Sequence, residues 1–283
     1  MKLTVGLCGL AGLYAPGTPA EKIARRKMMA AATGINRDRI DLFDPASAAF
    51  IKQTIAEGTP VLPVYDHVAY GEVATTLPAL IAAAGLTPQN CPRIEIRNEP
   101  YYEQITAQQY AVEYDAAKKA LDGKGFILLA KGWGDYYDVN AWSQEEGGRG
   151  WNRDLQLALG YSVDEWAMHF YGPQGARGVQ GGGNATGWGA ITPTIANLVK
   201  DGIWKPVHIT ECGEDASVTP AEQASAWQQY VLEGCVLGIE SVYIYSSNDG
   251  NGETYGCFDE HFNAKPAVAA VAGAMARLKA VAR

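Results

Sequence analysis

Short apolar runs alternate with amphipathic stretches along the whole chain. Strand-like runs fall at Leu3–Leu10, Ile40–Phe43, Pro60–Tyr65, Arg93–Arg97, Phe126–Lys131, Glu165–Phe170, Pro206–Thr210 and Ser241–Tyr245. Helical patterns lie at Pro19–Thr33, Ala46–Glu57, Glu72–Ala84, Ala107–Leu121, near Asp154–Leu159, and at Thr192–Lys200, Pro220–Gly234 and Pro266–Val281. Thr18 reads as an N-cap, Asp44-Pro45 as a cap with a proline start, and Gly85 as a C-cap. Strand signals that are each followed by a helix signal imply a parallel sheet with crossover helices. A set of eight such units closes into a (β/α)8 TIM barrel. The competing arrangement is an open, doubly wound sheet. Its first strand-to-helix turn, Gly9-Leu10-Ala11-Gly12, lacks a phosphate-binding fingerprint. No linker or abrupt charge shift divides the chain, so residues 1–283 read as a single domain.

Composition narrows the function classes. The chain is 47% hydrophobic and 19% charged, with a net charge of −8. That excludes a disordered chain, and no apolar run reaches the roughly 18–20 residues of a membrane span. The acidic balance excludes a nucleic-acid binder, which needs clustered Lys and Arg against phosphates. The cysteines (Cys8, Cys91, Cys212, Cys235 and Cys257) are odd in number and widely spaced. They form neither a disulfide framework nor a zinc motif and read as small buried hydrophobes, with one pair open to oxidation. Lys2 followed by Leu3–Ala15 faintly suggests a signal peptide, but glycines interrupt it and no small-x-small cleavage site follows. Read as the first strand, it leaves a cytoplasmic protein, or one released by lysis, as a phage-associated enzyme would be.

In a barrel of this kind the chemistry sits at the C-terminal strand ends. Those ends carry Tyr65, Asp66 and His67 after the third strand, Asn98-Glu99-Pro100 after the fourth, and Lys131 and Trp133 after the fifth. They carry His169 and Tyr171 at the sixth, Glu211 at the seventh, and Tyr245, Ser246 and Ser247 at the eighth. Glu99 and Glu211 each end an apolar-rich strand, on strands that lie across the mouth from one another.

Asn-Glu-Pro after strand four, with Ile-Thr-Glu ending strand seven, resembles the 4/7 superfamily of retaining glycoside hydrolases, clan GH-A. The resemblance implies a general acid/base at Glu99, a nucleophile at Glu211, and a ligand of the sugar 2-hydroxyl at Asn98. His169-Phe170-Tyr171 is similar to the clan's His-x-Tyr after strand six, whose tyrosine contacts the nucleophile. The segment Tyr255–Asp259 with Lys265-Pro266-Ala267 resembles the clan's last loop and helix. Two departures stand out. Tyr245-Ser246-Ser247 replaces the tryptophan that usually ends strand eight. Near the end of strand two, where many members carry an arginine, the nearest candidates are Asp41 and Asp44. The retaining mechanism asks for two carboxyls about 5–5.5 Å apart, one protonated and one ionised. Arg97 would share the facing of Glu95 and Glu99 in a regular strand, close to the site, or be anchored lower in the barrel.

Aromatic residues gather after strands four and five: Tyr101, Tyr102, Trp133, Tyr136, Tyr137, Trp142 and Trp151, with Trp188 further on. Such rings stack on the apolar faces of sugars or pin long loops to the barrel rim. Candidate substrate-binding residues are therefore Asn98, Tyr101, Trp133, His169, Tyr171, Tyr245, Asp66 and His67. The glycine-rich stretch Gly172–Gly189 reads as a flexible loop over the cleft, and the sequon at Asn184 within it reads as chance. Asp135, Asp138, Glu145, Glu146 and Asp154 make the strand-five loop acidic, a solvated rim or a bias towards neutral or basic glycans.

The expected function is retaining hydrolysis of β-glycosidic bonds in an oligo- or polysaccharide, with no cofactor and no metal. One alternative is a metal-dependent sugar isomerase or epimerase that uses Glu99, Glu211, Asp66 and His169 as ligands. Another is a barrel that binds carbohydrate without catalysis. The expected partner is the saccharide alone, with no nucleic acid and no membrane.

Overall fold

The computed structural model describes residues 3–10, 16–134, 148–171, 191–214, 219–250 and 254–281. Strands and helices alternate as β1 (Thr4–Cys8), α1 (Pro19–Thr33), β2 (Asp38–Leu42), α2 (Pro45–Ala56), β3 (Val61–Tyr65), α3 (Val73–Ala84), β4 (Arg93–Ile96) and α4 (Ala107–Ala120). They continue as β5 (Ile127–Lys131), α5 (Gly148–Leu159), β6 (Glu165–Tyr171), α6 (Ile191–Lys200), β7 (Val207–Gly213), α7 (Pro220–Val236), β8 (Ser241–Ile244) and α8 (Pro266–Val281). The strands follow chain order in a closed barrel, with β8 pairing in parallel to β1. The fold is the (β/α)8 barrel expected from the alternation. Among the described residues, no helix is long and apolar enough to cross a membrane.

The helix starts follow local chemistry. Thr18, Asp44, Thr106 and Thr219 each form a capping box with the third residue of the following helix, which satisfies backbone donors that the first turn leaves over. Gly85 ends α3 with φ 64°, a conformation that costs glycine little. Three bounds differ from the sequence reading in ways that matter. Helix α5 starts at Gly148, several residues early. Strand β2 starts at Asp38, before its apolar run. Strand β7 runs on to Gly213, so Glu211 lies within the strand rather than at its end. No disulfide joins the cysteines among the described residues.

The chain groups into two compact units. One is Met1–Arg39, His169–Pro193 and His208–Arg283; the other is Ile40–Met168 and Thr194–Val207. In the first, α7 buries Trp227, Tyr230 and Val231, and the Tyr230 hydroxyl donates to the Phe170 carbonyl at 2.8 Å. In the second, Tyr110 of α4 accepts from the Lys131 amide at 2.7 Å and donates to the Ile96 carbonyl at 2.5 Å, tying helix to strands. Charged side chains line β4 of this unit on alternate positions. Arg93 holds Glu165 through two bonds, 2.6 and 3.1 Å. Glu95 faces Lys131 at 3.5 Å with both side chains fully buried. Such residues stay buried only when paired, because an isolated ion is costly to dehydrate.

Candidate active site

Glu211 is the best-defined group of the first unit. Strand β7 is buried throughout. Its pairing with β8 shifts by one residue between Ile209 and Cys212. A bulge of this kind bends the strand and re-aims a side chain, and the residues it re-aims are Thr210 and Glu211. The close approach of the chain two residues further on depends on glycine. A Cβ on Gly213 would stand 2.6 Å from the Tyr245 carbonyl oxygen.

Among the described residues, three side chains hold the Glu211 carboxylate. Arg39 of β2 donates from Nη1 to Oε1 at 2.5 Å, and both side chains are nearly buried. Tyr171 donates its hydroxyl hydrogen to Oε2. His169 Nδ1 lies 3.5 Å from the same oxygen. Charge-assisted bonds from opposite sides fix the orientation of a carboxylate. Arg39 is in turn set by its neighbour. Asp38 is fully buried, and its Oδ1 accepts from the Arg39 and Leu10 amides at 2.8 and 3.0 Å. The sequence reading missed Arg39 and pointed to Asp41 and Asp44. The correction is that strand two does carry an arginine, two positions before Asp41. Its signal was the strand itself: starting β2 at Asp38 places Arg39 in the pleat, but two charged residues ahead of the apolar run hid that start.

Tyr171, Tyr245 and Tyr255 meet edge to face, with ring centroids 5.6–5.9 Å apart. Tyr245 follows β8 directly, and the Tyr245–Ser246 peptide is cis. Burial pushes the thiols of Cys8 and Cys212 well above the usual range, so neither is a nucleophile at neutral pH.

The second unit carries Glu99. Asn98 and Glu99 are half-buried after β4, and the Glu99 carbonyl accepts from the Tyr102 amide at 3.0 Å. Arg97 departs from the regular strand. Its φ is 62°, its amide donates to the Tyr65 carbonyl at 2.8 Å, and its guanidinium holds Glu113 of α4 at 2.9 and 2.7 Å. The left-handed residue breaks the two-residue alternation, so Arg97 leaves the row of Arg93 and Glu95 and reaches the helix layer. Burial works against its charge, yet the bonds and charge of Glu113 outweigh this and hold it protonated.

Asp66 is 2% exposed. Its Oδ2 lies 3.7 Å from His67 Nε2 and its Oδ1 3.9 Å from Arg97 Nη1. His67 is open to solvent, with Asp41 Oδ2 3.9 Å from the same nitrogen. Burial, then the charge of Asp66, raises the Glu103 carboxyl above its ordinary range. Tyr101 and Trp133 stack at 4.3 Å with Trp151 against both, and they retain 4% and 3% exposure. Little of either ring is left for a sugar. Asn152 clamps the Trp133 backbone through both its amide and its carbonyl. Exposed Tyr102 packs edge-on to Tyr101. Tyr136, Tyr137, Trp142, Trp188, Asp135, Asp138, Glu145, Glu146 and the Gly172–Gly189 stretch lie outside the described residues.

No known family's sequence pattern matches the chain, and no curated protein matches it. Solved structures do. One is an endo-β-1,3-glucanase of family GH128, subgroup II, from Sorangium cellulosum, with TM-score 0.67 and 15% identity over 96% of this chain and 98% of that one. Another is the endo-β-1,4-glucanase Xac0029 from Xanthomonas axonopodis pv. citri, with TM-score 0.64 and 14% identity over 98% of this chain and 99% of that one. A third is Saccharomyces cerevisiae Gas2p, solved with laminaritetraose and laminaripentaose, with TM-score 0.62 and 14% identity over 98% of this chain and 64% of that one. What the chain shares with them is the (β/α)8 barrel fold. At these identities the likeness is one of fold, and the chemistry must be argued from the residues.

Of the residue types that ligate metals, His169 and Glu211 stand side by side in the first unit. The Arg39 guanidinium occupies Oε1, where a divalent cation would meet a fixed positive charge. Asp66 belongs to the other unit, beside His67 and Arg97.

Proposed function

We propose that this protein is a retaining glycoside hydrolase acting on β-linked glucans, with Glu211 as nucleophile and Glu99 as general acid/base. The observation that carries the reading is the setting of Glu211: a buried carboxylate on a bulged strand, oriented by Arg39, Tyr171 and His169. A nucleophile in glycosyl transfer must stay aimed at one carbon while charge moves off it, and donors on both oxygens supply that aim. Glu99 is half-buried directly after β4, and strand C-terminal ends are where barrels of this kind carry their catalytic groups. In the first half-reaction Glu211 attacks the anomeric carbon while Glu99 gives its proton to the departing oxygen. In the second Glu99 takes a proton from water, which releases the sugar. Asn98 serves the sugar 2-hydroxyl, Tyr245 the sugar face, and Asp66 and His67 a neighbouring sugar unit.

β-Glucan is the proposed substrate because the solved structures of this fold named above are a β-1,3-glucanase, a β-1,4-glucanase and a protein holding laminari-oligosaccharides. A reducing-sugar screen on laminarin, lichenan, carboxymethylcellulose, mannan, xylan and bacterial cell walls tests this. Wild type is expected to cleave a β-glucan, and Glu211→Gln to cleave nothing. Equal activity in the two proteins would reject Glu211. Cleavage confined to mannan, xylan or cell wall would reject the glucan assignment alone.

A further inference from the structure

A second, buried ion pair stands immediately beside the proposed acid/base. Arg97 precedes Asn98-Glu99 by one and two positions and is one of few non-glycine residues in the left-handed region, with φ 62°. A residue with a Cβ persists there only when its surroundings over-determine it, and such residues cluster where a chain must aim a side chain. Hydrogen bonds hold Arg97 at both ends, with Asp66 and Glu103 also 3.9 and 3.8 Å from its Nη1. Its amide donates to the Tyr65 carbonyl, and two guanidinium nitrogens bond the two oxygens of Glu113. Glu113 is 1% exposed and Arg97 2%, so the pair works in a dry environment. Because alternation along β4 is broken at Arg97, the side chains that follow take their directions from this turn rather than from the strand.

We infer that the Arg97–Glu113 pair is a positioning device: it locks the left-handed turn that aims Glu99, and it acts on catalysis only through Glu99. This rests on the proposed acid/base role of Glu99. A misplaced acid/base has a distinctive signature. Glycosides with poor leaving groups need the proton and suffer, whereas activated aryl glycosides leave without it. A general loss of structure slows both alike.

The test compares wild type, Glu99→Gln, Arg97→Lys and Glu113→Gln on phenyl and 2,4-dinitrophenyl β-laminaribiosides and β-cellobiosides. Arg97→Lys keeps the charge and loses the two-pronged bond. Glu113→Gln keeps the shape, and it carries the comparison if Arg97→Lys does not fold. Both variants are expected to lose about 100-fold in kcat/KM on the phenyl substrate and no more than about threefold on the dinitrophenyl one. They should also flatten the alkaline limb of the pH–rate profile, in the direction of Glu99→Gln. Equal losses on both substrates, or no loss, would overturn the inference. If Glu99→Gln itself showed no leaving-group dependence while wild type was active, the acid/base reading would fail first and this inference with it.

Discussion

Glu211→Ala is expected to abolish turnover of β-glucan, with a fall in kcat on the order of 10⁴-fold or more, and azide is expected to restore part of it on activated aryl glycosides. Arg39 and Tyr171 both donate to the Glu211 carboxylate, one to each oxygen. Truncation empties the space of the carboxylate while leaving those donors in place. A small anion can enter there, facing the same carbon that Glu211 would attack, and so give a glycosyl azide of α configuration. The measurement is product analysis by NMR at increasing azide concentration, beside a thermal melt that shows the barrel is folded. A folded Glu211→Ala protein with wild-type turnover would remove Glu211 from the reaction. A folded, inactive one in which azide has no effect would leave Glu211 essential without making it the nucleophile.

The second large effect concerns Arg39. Its side chain is 5% exposed and that of Glu211 9%, so Arg39→Met leaves a carboxylate in a dry site without its cation. Breaking a buried pair from one side costs about 3–5 kcal/mol. In a chain of this size that lowers the melting temperature by roughly 2–4 °C per kcal/mol. Activity is expected to fall as well, because the proposed nucleophile loses its aim. The double variant Arg39→Met/Glu211→Gln removes both charges and should regain most of the stability while staying inactive. Thermal melts of the two single variants and the double one form a cycle that isolates the pair. A single Arg39→Met variant as stable as wild type would mean that Glu211 does not depend on this arginine.

Much of the architecture was legible because each element announces itself locally. Helices α1 and α8 run over the spans read from periodicity, since Thr18 and proline starts mark their beginnings. Strands with apolar runs, such as β3 and β5, were found within a residue of their ends. What escaped was long-range pairing. Asp38 and Arg39 look like a polar turn until Asp38 is seen to bind backbone amides and Arg39 to bind Glu211, 172 positions away. Arg97 looked like a member of the β4 row until its positive φ and its bond to Glu113 turned it towards α4. Nothing in a two-residue period encodes such a reversal. Tyr101 and Trp133 read as sugar platforms by composition, yet their stacking on each other depends on the packing of α5. Residue types found the candidate chemistry; the partners that hold it became visible only in three dimensions.

The central claim is that Glu211 forms a covalent bond to the sugar. The most direct measurement incubates wild type with a 2,4-dinitrophenyl 2-deoxy-2-fluoro-β-laminaribioside or β-cellobioside and maps the modified peptide by mass spectrometry. The account predicts one fluoroglycosyl group, attached to Glu211 and absent from Glu211→Gln. A label on any other carboxylate, or an active enzyme that turns over β-glucan yet never becomes labelled, would contradict it.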